Sequence, residues 1–172
     1  SRAHAVAELV RGQATGKGDL GILCLLDSND HLFASAMAIA RAFPEFSKKT
    51  SDPGAPRTVK IAFEGPKAKL KANTRVIEGA RSVRSAAAWL DMPCADLDTT
   101  VFTKIATDIA KECGAEIDVI AGTALKKKGY GGLWTVGKAA EALPALVVLK
   151  HEPKGAKKNI CWIGKGMVYD TG

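Results

Sequence analysis

Aromatic and histidine side chains are scarce in this sequence. Phe, Trp and Tyr together make up 6% of its 172 residues, and there are three histidines. Proteins stack the bases of single-stranded nucleic acids on aromatic side chains, so this scarcity disfavours such a binding surface. Three scattered histidines also give no basis for a Ser-His-Asp triad.

Cysteines are few and far apart. The four of them, Cys24, Cys94, Cys113 and Cys161, form no C-x-x-C motif and have no histidine pair nearby at zinc spacing. Cys24 and Cys161 fall inside apolar runs, where we expect them to be small core residues. The pattern is typical of a reducing compartment rather than of a disulfide scaffold, which predicts a cytoplasmic protein.

Apolar runs of membrane-spanning length are missing as well. No stretch approaches about 18 apolar residues, so the sequence predicts no transmembrane helix. The chain begins Ser1-Arg2-Ala3 without a methionine, from which we expect a processed or trimmed product. Its 47% hydrophobic and 25% charged residues are typical of a globular protein of one domain or two small lobes.

The net charge is +7, from 25 basic and 18 acidic residues. Such an excess could attract nucleic acid or another anionic surface. The basic residues are scattered, however, and their densest runs, 67–71 and 126–128, are short. This distribution favours solvated loops and helix ends, and nucleic-acid binding is kept as the less favoured interpretation.

The order of apolar patterns predicts an α/β fold. Helical spacing predicts helices at 3–11, 31–43, 74–90, 99–113 and 124–128, and apolar runs predict strands at 20–26, 58–63, 116–121, 144–149 and 159–163. The run at 20–26 is continuous, which indicates a strand buried on both faces. A hairpin turn is expected at 152–155, and the long helix from residue 74 stands between two αβ groups and could join two lobes.

Three short motifs resemble functional sites, but the sequence favours a structural interpretation of each. Residues 132–138 fit G-x4-G-K, yet Ala139 stands where a phosphate-binding loop needs Ser or Thr, so we predict a glycine-rich connector. His151-Glu152 begins an H-E-x-x-H pattern that lacks its second histidine. Asp108 and Glu112 lie one helical turn apart, and we interpret them as a solvated helix face.

The last residues form the most suggestive segment. Lys165 lies between Gly164 and Gly166, and Asp170 follows. If 159–163 is a strand, both side chains come just beyond its carboxyl end, where functional residues of α/β sheets gather. The alternative is a tight turn that contains an incidental Lys and Asp.

The segment IGKGMVYDTG, residues 163–172, resembles the metal-binding signature of the leucine aminopeptidase (cytosol aminopeptidase) family. The resemblance extends upstream over residues 125–153 and over residues 79–102, which look like the family's linker helix and the start of its catalytic domain. LFASAMAIARAFPEF, residues 32–46, resembles the amino-terminal lobe of an aminopeptidase-like branch found in animals and protists. The similarity thus covers roughly residues 30–172.

The resemblance implies an α/β amino-terminal lobe at 1–73, a linker helix at 74–92 and the start of an α/β catalytic domain at 93–172. It implies a hexameric hydrolase that uses two divalent ions (Zn, Mn or Mg), with bicarbonate as a base, to remove amino-terminal residues, often Leu, from peptides. Lys165 matches a lysine that ligates one metal, and Asp170 matches an aspartate that contacts both.

Physical chemistry makes those two roles reasonable. An ammonium has no lone pair, so a metal-bound lysine must be neutral, and an adjacent dication in a partly desolvated pocket favours the neutral form. A carboxylate can bridge two cations about 3.5–4 Å apart. The ions would activate a bridging water, polarise the scissile carbonyl and hold the free amine of the substrate, which would explain a preference for chain ends.

Two departures from the family pattern bear on activity. Ala95 stands where relatives commonly carry Asn, which puts the geometry after the linker helix in doubt. The family's remaining ligands, its second lysine and its catalytic arginine all follow the signature, and none occurs in these residues. Two ligands cannot hold two metals. We therefore expect no catalytic residue within this chain and no activity without a C-terminal catalytic portion; the alternative is a non-catalytic interaction module.

Overall fold

The computed structural model describes residues 2–16, 18–43, 45–48 and 57–168. The chain divides into two compact units, Ser1–Met92 and Pro93–Gly172, called unit 1 and unit 2 below. Both units combine helices with a small sheet, so the predicted α/β class is confirmed. Among the described residues no helix is both long and apolar enough to span a bilayer.

The described part of unit 1 contains three α-helices and a three-stranded sheet. The elements are α1 (Arg2–Gln13), β1 (Leu20–Leu25), a 3-10 turn (Asn29–His31), α2 (Leu32–Arg41), β2 (Val59–Glu64), β3 (Lys69–Leu70) and α3 (Thr74–Asp91). The strand order is β1-β2-β3, with β1 parallel and β3 antiparallel to β2. The short β3 was not predicted, because two residues are too few to show a periodic pattern.

The core of unit 1 lies between one face of this sheet and the helices. Its buried cluster consists of Leu26, Ala36, Ile39, Phe63 and Val76, and Val6 and Val10 of α1 pack against it. Close packing also joins α3, the predicted linker helix, to α2: a Cβ added at Gly79 would lie 3.0 Å from the sulfur of Met37.

The prediction that β1 is buried on both faces is wrong. Ile22 and Cys24 point towards the core, whereas Leu23 and Leu25 are 61% and 71% exposed. The helices that the structure describes in unit 1 pack against one face of the sheet, so every second residue of β1 is left uncovered. Burial raises the pKa of the Cys24 thiol, as its predicted place in the core requires.

Unit 2 contains α4 (Thr99–Cys113), β4 (Glu116–Ala121), α5 (Thr123–Lys127), α6 (Gly131–Gly137) and β5 (Ala145–Lys150). The two strands pair antiparallel, with Glu116 opposite Lys150. The Asp98 carboxylate caps α4 by accepting a hydrogen bond from the Val101 N–H at 2.8 Å, and Gly114 ends the helix with a φ of 64°. Both ends of α4 therefore agree with the sequence prediction.

Two other predictions for unit 2 are wrong. The G-x4-G-K stretch lies largely in α6, so it is a short helix rather than a connector. Residues 159–163 form no strand, and Ile160, Trp162 and Ile163 are 81%, 90% and 95% exposed. Cys161 is also exposed rather than buried in a core. An apolar run becomes a strand only beside a partner strand, and within the described residues β4 and β5 pair only with each other.

The predicted turn at 152–155 is present without a hairpin. The Ala156 N–H donates to the Pro153 carbonyl at 3.1 Å, and Gly155 has a φ of 85°. A turn of this kind is formed by the residues within it, so it needs no contact with residues distant in sequence. The strand that should follow the turn is absent, so the described chain continues to Val168 without a further helix or strand.

Candidate metal-binding segment

Lys165 lies in segment 151–168 of unit 2, which forms no helix or strand, and its side chain is exposed. The glycines on either side have open space around them, because a Cβ added at Gly164 or Gly166 would meet no atom within 4 Å. Packing within the described chain therefore does not explain this pair of glycines. Open space next to the backbone is what the close approach of another chemical group would need.

Asp170, the second predicted ligand, lies outside the described residues. Its proposed role therefore stays a prediction. The argument that both residues follow a strand end is wrong for this structure, since β5 ends at Lys150 and 159–163 is not a strand. The family signature, rather than local topology, supports the assignment.

Metal-ligating side chains do not converge in the described part of the chain. No group of three or more His, Cys, Asp or Glu residues there could hold a metal ion. Asp108 and Glu152, the carboxylates that pair with lysines in the described residues, are both exposed to solvent. The described residues thus do not by themselves fit a two-metal centre, and further ligands would be needed.

The solvated helix face predicted at Asp108 and Glu112 is confirmed, as both residues are exposed. The Lys104 ammonium donates to the Asp108 carboxylate at 2.6 Å, and this hydrogen bond lowers the pKa of Asp108. At the end of β5, the carboxylate of Glu152 lies 3.0 Å from the Lys150 ammonium and raises the pKa of Lys150. These exposed pairs contribute little to stability.

A cavity of about 520 Å³ opens beside the first turn of α4. Asp98, Thr99 and Ala95 line it together with Val168, near the end of the described segment that carries Lys165. The Thr99 hydroxyl hydrogen-bonds to the carbonyls of Ala142 and Leu143, at 3.1 and 2.9 Å, and so fastens this helix end to the residues before β5. The sequence predicted the helix over 99–113 but not this wall, because the hydrogen bonds join residues more than forty positions apart.

A second cavity, of about 560 Å³, lies within unit 1. Phe63 and Val76 contribute apolar walls, and Arg57 and Arg84 lie among the lining residues. Both arginines make hydrogen bonds to backbone carbonyls within unit 1. Arg57 donates to the Ala14 carbonyl at 2.8 Å, and Arg84 donates to the Phe43 carbonyl at 3.2 Å. Arg84 also pairs with Glu45 at 3.2 Å.

Family models match both units of the chain. The model described as the cytosol aminopeptidase family, catalytic domain, matches residues 84–172, and the M17 aminopeptidase N-terminal domain 2 matches residues 1–52. The chain belongs to the M17 cytosol aminopeptidase family. The resemblance inferred from IGKGMVYDTG is confirmed, and it extends further towards the amino terminus than residue 30.

Similar proteins cover the whole chain. A probable aminopeptidase of mouse, NPEPL1, is 39% identical over 182 residues, which are 100% of this chain and 34% of that protein. Leucine aminopeptidase 1 of Caenorhabditis elegans is 39% identical over 137 residues, which are 78% of this chain and 27% of that protein. The chain therefore spans about a third of the length of the curated relatives that it matches.

Solved structures agree with this assignment. The structure of leucine aminopeptidase LAP1 from Caenorhabditis elegans has a TM-score of 0.83 and 33% identity, and covers 99% of this chain and 35% of that one. An M17 aminopeptidase from Trypanosoma brucei has a TM-score of 0.76 and 30% identity, and covers 90% of this chain and 31% of that one. The M17 fold thus holds for nearly all of the chain.

Proposed function

We propose that this chain is part of a metal-dependent leucyl-type aminopeptidase, which removes amino-terminal residues from peptides. The observation that supports this most strongly is the match to M17 relatives over the whole chain, including the catalytic-domain model over residues 84–172. Residues 1–73 would form an amino-terminal lobe, 74–92 a linker helix and 93–172 the start of the catalytic domain.

Lys165 and Asp170 are proposed as two of the ligands of a pair of divalent ions (Zn, Mn or Mg). Lys165 would bind as the neutral amine, and the Asp170 carboxylate would contact both ions. The remaining ligands and the bicarbonate site would come from the parts of the protein that correspond to the other two-thirds of its relatives. A homo-hexamer in the cytoplasm is proposed on the same family basis.

The decisive experiment uses the full-length protein and a fluorogenic leucine amide. Asp170→Asn keeps the size of the side chain and removes its charge, and we expect kcat/KM to fall by at least about 100-fold with unchanged oligomeric mass. Asp118→Asn, at an exposed position of β4, is the matched control and should leave turnover unchanged. Turnover near the wild-type value in Asp170→Asn would refute the assignment of Asp170.

Lys165 is tested in the same assay. Lys165→Met removes the nitrogen ligand but keeps the length of the chain, so activity should fall comparably, whereas Lys158→Met, in the same exposed segment, should retain it. The isolated 172-residue chain should release no product. Hydrolysis by that chain alone, abolished by a chelator, would contradict the proposal that further ligands are required.

The net charge of +7 supports one alternative, a non-catalytic module that binds nucleic acid or another anionic partner. Binding of this kind weakens steeply as salt rises. Titration of the full-length protein with single- and double-stranded oligonucleotides at two salt concentrations separates the two functions. Salt-dependent binding together with absent peptidase activity would favour the module.

A further inference from the structure

The cavity of about 560 Å³ in unit 1 has mainly apolar walls. Phe63 and Val76, which line it, belong to the core and are 6% and 5% exposed. Ile61 of β2 and Ile77 of α3 also line it, yet they are 38% and 55% exposed. Large aliphatic side chains therefore border open space next to the core. The volume lies within the range of pockets that bind small molecules, roughly 300–1,000 Å³.

The charged residues that line this cavity are mostly cationic. Arg57, Arg81 and Arg84 lie among the described lining residues together with one carboxylate, that of Glu45. The Arg84 guanidinium lies 3.2 Å from Glu45, and that of Arg81 lies 3.6 Å from Glu78. No carboxylate of the described chain pairs with Arg57. Arg57 therefore brings to an apolar cavity a positive charge that the described residues do not balance.

Arg57 also has hydrogen-bond donors to spare. A guanidinium carries five N–H groups. One at Nη1 donates to the Ala14 carbonyl at 2.8 Å, whereas Nε is buried without a hydrogen-bond partner among the described residues. Burying a charged donor without a partner is unfavourable. A carboxylate held by this guanidinium would supply both the opposite charge and further hydrogen bonds.

We propose that this cavity binds a small monocarboxylate with an aliphatic or aromatic body, of about the size of octanoate. The carboxylate would accept hydrogen bonds from Arg57, and the body would lie against Ile61 and Ile77. No residue of the segment that carries Lys165 takes part. The site is therefore independent of the proposed peptidase activity, and binding at it is measured without that activity.

Other classes of ligand fit these walls less well. A cation would meet a surplus of guanidinium groups, and a neutral apolar molecule would leave the charge of Arg57 unpaired. Inorganic phosphate would satisfy the arginines but would have to lose its hydration beside apolar walls that it cannot use. An apolar carboxylate is the class that matches both the walls and the charge.

Calorimetric titration of the full-length protein with octanoate tests this chemistry. Acetate carries the charge without the apolar body, octanol the body without the charge, and octylammonium the body with the opposite charge. Octanoate should bind saturably, and the other three should bind at least about tenfold more weakly. Failure of octanoate to bind, or equal binding of any of the three, would overturn the proposal.

Substitution of Arg57 tests the charged contact. Arg57→Gln removes the charge and should weaken octanoate binding by at least about tenfold while octanol binding stays unchanged. Arg41→Gln, at an exposed position of α2 outside the cavity lining, is the matched control and should bind octanoate as the wild type does. Equal octanoate affinity in the two variants would overturn the proposal. An equal loss of octanol binding in Arg57→Gln would show that Arg57 only maintains the fold, and would overturn it as well.

A variant that fills the cavity tests its place without touching the arginines. Ala80 of α3 lines the cavity, whereas Ala86 of the same helix is exposed and does not. Ala80→Phe should abolish octanoate binding, and Ala86→Phe, which carries the same cost in helix propensity, should retain it. Octanoate affinity that is the same in both variants would overturn the assignment of this cavity.

Methyl NMR of isoleucine-labelled full-length protein locates the ligand directly. Octanoate should shift the methyl signals of Ile61 and Ile77 and leave that of Ile120, which is 6% exposed in unit 2, unchanged. Ile160 and Ile163 report on adsorption to exposed apolar surface, since they are 81% and 95% exposed. Shifts confined to these two residues would overturn the proposal.

Discussion

The two units expose apolar side chains in different ways. In unit 1, Leu23 and Leu25 are exposed on a strand that is already formed and paired with β2. In unit 2, Trp162 and Ile163 are exposed on a segment that forms no strand at all. Within the described residues β1 therefore has one partner strand and one uncovered face, whereas 159–163 has no partner strand.

The largest expected effect tests whether both units nevertheless have native cores. Ile39 in unit 1 is 1% exposed and Leu125 in unit 2 is 0% exposed. Ile39→Ala and Leu125→Ala should each destabilise the full-length protein by about 2–5 kcal/mol, because each leaves a cavity in a packed core. Thermal unfolding measures the losses. A Leu125→Ala loss of under about 1 kcal/mol would show that unit 2 is loosely packed and would contradict the claim that both units have native cores.

A glycine pair tests the packing of α6 against the residue before β5. A Cβ added at Gly137 would lie 2.5 Å from Pro144 Cβ, whereas one at Gly132 would meet nothing within 4 Å. Gly137→Ala should therefore cost about 1–3 kcal/mol through overpacking, while Gly132→Ala should be neutral or slightly stabilising. Equal Tm values for the two variants would contradict this packing of unit 2.

Helix caps give a smaller effect and compare the units directly. Asn73 caps α3 in unit 1 by accepting from the Val76 N–H at 3.1 Å, and Asp98 caps α4 in unit 2 in the same way. Asn73→Ala and Asp98→Ala should each cost about 1 kcal/mol. Urea unfolding of the two variants measures it. Serine at either position should restore most of the loss, and failure to do so would exclude capping as the cause.

The smallest expected effect concerns pH. The Lys104 hydrogen bond lowers the pKa of Asp108, so its contribution to stability is present above the ordinary carboxyl pKa and is lost as pH falls through the lowered pKa. Asp108→Asn should lower the Tm by under about 2 °C at pH 7 and by nothing once the carboxyl is protonated. An equal difference at both pH values would exclude the ion pair as its origin.

Sequence reasoning succeeded where local signals decide the structure. The helix over 99–113 and the strand over 116–121 were both predicted from the patterns of their own residues, and the structure confirms both. It failed where the structure depends on neighbouring strands and helices. Three predictions assumed neighbours that the described chain does not provide: burial of β1 on both faces, a strand at 159–163 and a core position for Cys161. The roles of Lys165 and Asp170 were predicted through a family signature and stay predictions, while the wall around Thr99 depends on contacts distant in sequence.

The most direct test of the account is the number of metal ions bound by the full-length protein. Calorimetric titration with Zn²⁺ or Mn²⁺, checked by elemental analysis of the dialysed protein, should give about two ions per chain for the wild type, as a two-metal site requires. The double variant Lys165→Met with Asp170→Asn should retain one ion or fewer with its fold intact. Unchanged stoichiometry and affinity in that variant would contradict the assignment of these residues as ligands.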